Sequence, residues 1–409
     1  MSFKKIWFIN FTDPIPSSKN KILRRHESLA INLANQGHNI TWITDTFSHT
    51  KKAHISNESM HSSMNIMQLN SLGYKKNISV KRILHNIFLS FSTFALILKT
   101  SKSSRPDMIF SSFPPIETSF VLSIISKLYG VRFLIDFRDL HPEVFRDVFK
   151  GKLMKALSTL ILFPYRFMVF VTLKLSHKVF TTSPGVSYFL KSKYRLKKLP
   201  SSYYHWYKGI DDLENEQINH DFFVQKIRDY IDRFEKPIIF TYCGVLSNRL
   251  DLTNFVKVFQ SIKDDSKVLV LCGSGDQLEI IKKEASFQKN IFISSHVSRE
   301  EVSELYSLSD YGILPYPPAI DFCLAPPTKL SELLYHNLKI ICSKDTYIFQ
   351  NYANKIDCDY YKFNNFKSLR EIVINSEKVY KKKSTTNREF WNKSFSHRMS
   401  FSMAKEIIS

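Results

Sequence analysis

The sequence predicts an α/β protein of two successive domains, each a mainly parallel sheet wound by helices. Three observations predict it. At 409 residues the chain exceeds one ordinary hydrophobic core. Short apolar strands alternate with helical patterns through the first half, and the alternation restarts after Pro237. In order, Lys5–Ile9 reads as a strand, Ile22–Gln36 as a helix ended by Gly37, and Asn39–Thr44 as the next strand. Met108–Ser111 and Arg132–Phe137 are strands around a helix at Ile116–Tyr129, which Gly130 closes. Lys178–Thr181 follows, with a turn at Ser183–Gly185. From Lys197 to Lys236 the pattern fades between Pro200 and Pro237, which sets an N-terminal domain over 1–205 and a linker over 206–236. The C-terminal domain, 237–386, has strands at Pro237–Cys243, Lys267–Cys272, Asn290–Ile293, Tyr311–Leu314 and Lys339–Cys342. Residues 387–409 read as a helix, with Phe390, Trp391, Phe395 and Met399 at rough helical spacing. Doubly wound sheets bind ligands beyond the carboxyl ends of their strands, so the loops after each strand carry the candidates.

Composition narrows the partners. With 44% hydrophobic and 23% charged residues the chain is globular rather than disordered. Lys and Arg number 58 against 37 Asp and Glu, a net +21, which favours a polyanion: nucleic acid or an anionic membrane surface. Richness in Lys, Ile, Asn and Phe also fits an AT-rich genome, a second source of the same charge. No basic helix carries interleaved base-contacting residues, which argues against nucleic acid. The five cysteines form no CxxC pair and fit thiols in a reducing compartment. The apolar run near the N-terminus is too short for a signal-peptide core and reads as a buried strand, so the expected location is cytoplasmic. Leu153–Leu175 is long and apolar, yet Lys155, Arg166 and Lys174 interrupt it and Pro164 would kink it. A helix lying on a bilayer, a buried helix and a span remain as readings, the first fitting best.

Two stretches place chemistry at strand ends. In PPTKLSELL (Pro326–Leu334) a helix opens around Thr328, and Lys329 and Glu332, three apart, share one face. Its N-terminus offers free N–H groups to phosphate, and a carboxylate beside it can take the two hydroxyls of a ribose. The same residues also describe an ordinary helix with a Lys–Glu pair. In IDFRDLHPE (Ile135–Glu143) charged residues emerge from a buried strand. Asp139 could orient or deprotonate a hydroxyl, and His141 is a second base; the rival reading is an Arg–Asp network capping a helix. FPPIE (Phe113–Glu117) follows the preceding strand and could line the same cleft.

The Pro326–Leu334 segment resembles the donor-binding signature of family-four retaining glycosyltransferases of GT-B fold, and particularly their bacterial O-antigen and capsule branch. The resemblance implies two Rossmann-like domains facing a cleft, with 387–409 packing back on the first. It gives Glu332 the ribose and Lys329 a neighbouring place. Asp310 stands at the expected position upstream, while Leu324 occupies the site of a usual acidic residue, with Asp321 the nearest substitute. FTYCGVLSNRLD (Phe240–Asp251) is similar to the strand–glycine loop that opens the second domain, with Gly244 approaching the diphosphate and Arg249 its cation. LVLCGSGD resembles the following strand and its GxG turn, Gly273 and Gly275. His296-Val297 resembles the loop near the nucleobase, and YKGID (Tyr207–Asp211) an element before the linker. In the N-terminal half, Arg138, Asp139, Pro142 and Glu143 match the branch's acceptor-side motif. The loop that is usually Gly-rich is PIPSSKN here, which makes Ser17 and Ser18 the candidates.

The implied reaction is retaining transfer from a nucleotide-sugar, UDP-sugar favoured, without metal or other cofactor. Lys329 and Arg249 would neutralise the leaving diphosphate, with Asp139 and His141 on the acceptor. The apolar Leu153–Leu175 segment and the charge suggest an undecaprenyl-diphosphate-linked glycan acceptor and a peripheral place on the inner face of the cytoplasmic membrane. Two rival classes share the fold: a catalytically silent binding subunit and a UDP-sugar epimerase.

Overall fold

A computed structural model describes residues 3–17, 23–49, 52–55, 63–76, 79–149, 151–206, 222–262, 266–295, 297–378 and 385–409. The chain divides into two compact units, Met1–Gly209 with His397–Ser409, and Ile210–Ser396.

In the first unit the elements run β1 (Lys5–Ile9), α1 (Arg25–Asn35), β2 (Asn39–Asp45), β3 (Phe47–Ser48), β4 (Ala53–His54), β5 (Asn65–Leu69), α2 (Val80–Lys99), β6 (Met108–Phe113), α3 (Ile116–Tyr129), β7 (Arg132–Phe137), α4 (Lys152–Ile161), α5 (Phe163–Leu175), β8 (Lys178–Thr181), α6 (Pro184–Lys193) and β9 (Ser201–Ser202). Among the described residues the sheet has seven strands in the order β5-β2-β1-β6-β7-β8-β9, each pair parallel. The order reverses between β1 and β6, so the loops after those strands flank a ligand-binding switch point. Strands β6 and β7 are mainly apolar and almost wholly buried, as a two-sided parallel sheet requires. Helix α3 ends at Gly130, whose φ of +69° lets Val131 N–H reach Ser126 O at 2.9 Å.

The second unit runs α7 (Phe222–Ile231), β10 (Ile238–Cys243), α8 (Leu252–Ser261), β11 (Lys267–Cys272), α9 (Leu278–Ala285), β12 (Ile291–Ser294), α10 (Arg299–Leu308), β13 (Tyr311–Leu314), α11 (Ile320–Leu324), α12 (Lys329–Tyr335), β14 (Lys339–Ser343), α13 (Tyr347–Tyr352), β15 (Cys358–Tyr361), α14 (Phe366–Ile374) and α15 (Thr386–Ser394). Its parallel sheet is ordered β12-β11-β10-β13-β14-β15, the doubly wound pattern with the switch between β10 and β13. The core packs Phe240, Phe255, Phe259, Leu271 and Ile313 between sheet and helices.

Four differences from the sequence reading follow. Residues 387–409 are not one helix: α15 ends at Ser394 and α16 (Met399–Ile408) begins after a break. Asn387 fixes α15 to the second unit, its Nδ2 donating to Leu338 O at 2.7 Å and its Oδ1 accepting from Asp357 N–H at 2.7 Å. Trp391 is buried there and donates to Ser331 Oγ at 3.0 Å, while Met403 and Ile407 of α16 enter the core of the first unit. Leu153–Leu175 is likewise two helices, α4 and α5, because Pro164 sits in the first turn of α5 where its missing N–H costs nothing. Part of the expected linker is helical, as α7, and Trp206 lies buried in the first unit's core. Finally, α2 is an apolar 20-residue helix, long and apolar enough to cross a membrane by length and composition, with 28% of that window buried. The sequence reading had not identified it.

Candidate active site

The second unit's candidates gather at the carboxyl end of β10. Beyond Cys243 the chain turns at Gly244, and Gly244 N–H donates to Cys272 O (2.8 Å) while Leu246 N–H donates to Ser274 O (3.0 Å). Two loops are thereby sewn together backbone to backbone. A Cβ on Gly273 would stand 1.7 Å from Gly244 O, and one on Gly275 would stand 2.3 Å from Leu246 O. Both glycines therefore serve loop-to-loop packing, a role different from direct approach to a diphosphate. Gly244 faces side chains instead: a Cβ there would meet Tyr242 Oη at 3.0 Å and Lys329 Cε at 3.2 Å. Lys329 thus runs past Gly244, and its Nζ reaches Glu332 Oε2 at 3.3 Å across one helical turn. Gly244, Lys329 and Glu332 form one contiguous patch, and both charged side chains keep some exposure, 19% and 17%. Tyr242 donates to Val245 O at 2.9 Å and holds the turn.

Arg249 is placed differently. Its guanidinium reaches both oxygens of Asp321 at 3.2 Å and lies over the Phe322 ring at 5.6 Å, fastening it to α11. Burial pushes Asp321 up, against the pull of Arg249. Asp310, at the start of β13, lies at the amino end of the sheet, away from the loops that bind ligands. It accepts from Ile239 N–H at 2.9 Å and pairs with Lys378 at 2.9 Å, which makes it a strand-register clamp. His296 and Tyr207–Asp211 lie outside the described residues.

In the first unit the loops after β1 and β7 meet over a buried ionic network. Arg138 grips Asp13 with two contacts, 2.8 and 3.2 Å, and Asp13 also pairs with Arg24 at 3.2 Å. Burial alone would raise Asp13, but Arg138, His26 and Arg24 outweigh it and hold the carboxyl far below its usual range. Asn10 is the hinge of the network: its Nδ2 donates to Asp13 Oδ2 (2.8 Å) and to His26 Nδ1 (2.9 Å). Since Nδ1 accepts, the neutral His26 carries its proton on Nε2 and donates it to Asp136 Oδ2 at 2.6 Å. Arg25 completes the set, 2.8 Å from Asp136 Oδ1. Burial lowers His26, opposed by Asp136, and Asp136 is itself held low against its own burial by Arg25 and His26. Three guanidiniums against two carboxylates leave the cluster with a positive excess.

The other first-unit candidates separate. Asp139 is exposed, whereas His141 is half-buried, edge-on to Phe145 at 4.6 Å, and lowered mainly by burial. His141 shares a cavity of about 270 Å³ with Arg82, Pro114, Pro115 and Glu117, so the FPPIE and RDLHPE stretches do line one space. Glu143 does not join it. Its carboxylate is held by Arg166 at 3.0 and 2.9 Å and by Lys193 at 2.6 Å, a structural knot that leaves no acceptor-binding oxygen free of a cation. Ser17 sits on the loop after β1, its N–H 3.4 Å from Glu27 Oε1, and Ser18 lies outside the described residues. Sequence reasoning missed Asp13, His26, Asp136 and Arg82. The available signal was Asn10-x-x-Asp13 directly after a buried strand at the sheet's reversal point. Among the described residues no group of three or more His, Cys, Asp and Glu is arranged to hold a metal ion.

Comparison with known proteins places these findings. Residues 223–351, wholly within the second unit, match the family model for glycosyl transferases group 1. No curated protein sequence matches the chain. Among solved structures, a glycosyltransferase from Rickettsia africae aligns over 100% of both chains at 15% identity with a TM-score of 0.66. Anabaena HepE in complex with UDP aligns over 99% of both chains at 12% identity with a TM-score of 0.66. WaaG, described as a glycosyltransferase involved in lipopolysaccharide biosynthesis, aligns over 95% of this chain and 93% of its own at 14% identity, TM-score 0.56. At these identities the likeness is one of fold: the chain has the two-domain parallel α/β architecture of GT-B glycosyltransferases.

Proposed function

We propose that the protein is a retaining glycosyltransferase, moving a sugar from a UDP-sugar to a lipid-linked glycan in bacterial surface polysaccharide synthesis. The observation that carries this reading is the Gly244–Lys329–Glu332 patch at the switch point of the second sheet, inside the segment matched by the family model. Support for the nucleotide comes from HepE, solved with UDP and with UDP-glucose. Glu332 would accept the two ribose hydroxyls, each a charge-assisted bond worth about 1.5–3 kcal/mol. Lys329, released from Glu332 as the ribose arrives, would move to the diphosphate and stabilise the charge that develops on it. Arg249 would assist on exchanging Asp321 for phosphate. On the acceptor side, Asp139 and His141 orient the incoming hydroxyl, with His141 held neutral by burial and able to accept a proton.

Membrane association belongs to the same reading. Val80, Leu84 and Phe91 on α2, Leu153 and Leu160 on α4, and Phe163 and Phe167 on α5 are all exposed. With a net +21 charge they suit a peripheral place on the inner face of the cytoplasmic membrane. The deciding experiment is calorimetric titration with UDP and with uridine. Glu332→Ala should weaken both by roughly tenfold or more, whereas Lys329→Met should weaken UDP and spare uridine. Equal UDP affinity in wild type and Glu332→Ala would refute the assignment.

A further inference from the structure

The cavity beside His141 has a second one as its neighbour. The first, about 270 Å³, is lined at its head by Arg82, Asn86 and His141. The second, about 380 Å³, has an apolar exposed wall built from Ile87, Phe91 and Phe94 of α2, Val121 and Ile124 of α3, and Met168 of α5. Glu117 belongs to both linings. Helix α3 packs against α2 on one side and α5 on the other, so it forms the floor and they form the walls. The lining advances in step along α2, from Ser79 and Arg82 to Phe91 and Phe94, which is roughly 22 Å at 1.5 Å per residue. The polar groups on this floor are turned away or muted. Ser90 donates to Asn86 O at 2.7 Å and meets Thr118 Oγ1 at 3.1 Å. Glu117 accepts from Asn86 Nδ2 at 3.3 Å, and burial pushes its carboxyl up, toward the neutral acid that tolerates methylene neighbours.

A trough with a cation at one end and bare carbon along the rest has the polarity of one molecule: a long hydrocarbon with a phosphate at one end. We propose that the groove on α3 holds the isoprenoid chain of a lipid phosphate, with the phosphate beside Arg82 and His141. This rests on the lipid-linked acceptor reading and gives the lipid a place. A flat bilayer contact would leave the concave floor unfilled, and a water-soluble glycan would find no hydrogen-bonding partners along it.

The probe is farnesyl phosphate, titrated calorimetrically into the full chain below its micellar concentration, with geranyl phosphate, farnesol and inorganic phosphate in parallel. Affinity should rise at least tenfold from geranyl to farnesyl phosphate, since each fully buried methylene is worth up to about fourfold. Val121→Trp and Ile124→Trp fill the groove from adjacent turns of α3. Each should weaken farnesyl phosphate at least tenfold and erase the chain-length dependence, with an unchanged urea unfolding midpoint of the first unit as the check on folding. Arg82→Gln should weaken farnesyl phosphate and leave farnesol alone. The proposal falls if wild type does not bind farnesyl phosphate or if both filling variants bind it normally. It falls equally if Val121→Trp and Ile124→Trp instead alter self-association or adsorption to plain anionic vesicles. Failure of UDP binding alongside chain-dependent lipid binding would sink the donor assignment and keep the groove.

Discussion

Gly273→Ala tests whether the GxG turn is a packing device. The new Cβ would lie 1.7 Å from Gly244 O, half the shortest ordinary separation of 3.4 Å, and the obstacle is backbone rather than a movable side chain. The Gly244–Leu246 loop must retreat, which strains or breaks the bonds from Gly244 N–H to Cys272 O and from Leu246 N–H to Ser274 O, 2.8 and 3.0 Å long. Overpacking of this kind costs about 1–3 kcal/mol, and each of the two weakened bonds adds about 0.5–1.5 kcal/mol, so a loss of about 2–6 kcal/mol is expected. Retreat also carries Gly244 away from Lys329, so UDP binding should fall with stability. The control is Gly130→Ala. Gly130, at φ +69°, sits in the left-handed well that an L residue can enter, unlike Gly273 at φ +147°, and has nothing within 4 Å of its would-be Cβ, so it should cost only about 1–2 kcal/mol and leave UDP binding intact. Urea unfolding and calorimetry on both variants decide it. If Gly273→Ala is no worse than Gly130→Ala and still binds UDP, the loop-to-loop contact is not what the turn is for.

Two further outcomes follow from the first unit's buried charges. Asp136→Asn strips the partner from Arg25, 2.8 Å away and buried, and should cost about 3–5 kcal/mol in urea unfolding of that unit, with UDP binding by the second unit retained; a loss under about 1 kcal/mol would contradict the network. Asp45 carries the opposite sign: burial pushes it up to about 7, so the folded state binds a proton that the unfolded chain releases near pH 4, and its stabilising contribution fades as pH rises toward 7. Asp45→Asn should therefore gain in thermal midpoint over wild type between pH 5 and pH 8, and a difference independent of pH would refute this.

The fold was legible because its strands are short, apolar and regularly spaced, and a run such as Phe133–Phe137, closely preceded by Gly130, is too short for a helix. Helix ends at Gly130 and Gly37 were legible for the same local reason, since both adopt positive φ. What failed was longer in range. The break between α15 and α16 depends on Asn387 meeting Leu338 and Asp357, residues far away in the chain, and no local periodicity announces such a contact. Helix α2 did carry a local signal, an apolar stripe at Val80, Leu84, Ile87, Phe91, Phe94 and Leu98; what no local period announces is that this stripe stays exposed instead of entering the core.

The site divides along the same line, and the RDLHPE stretch shows why. Its four singled-out polar residues read alike in sequence, yet their tasks depend on which cations and carboxylates the rest of the fold delivers. Arg138 meets Asp13 from the loop after β1, and Glu143 meets Arg166 and Lys193 from α5 and α6. Both are thereby committed to holding loops in place, because a buried or half-buried charge that lost its partner would carry its full desolvation cost. Asp139 is exposed, and His141 opens on a cavity to which α2, α3 and α5 contribute Arg82, Glu117 and Tyr165. Chemistry on a substrate needs a group whose hydrogen-bonding capacity is not already taken by the fold. By that criterion the motif narrows from four candidates to two, Asp139 and His141, and Glu332 with Lys329 keeps its place because the pair is partly exposed and its Lys–Glu contact, at 3.3 Å, is one that an arriving diol and diphosphate can exchange.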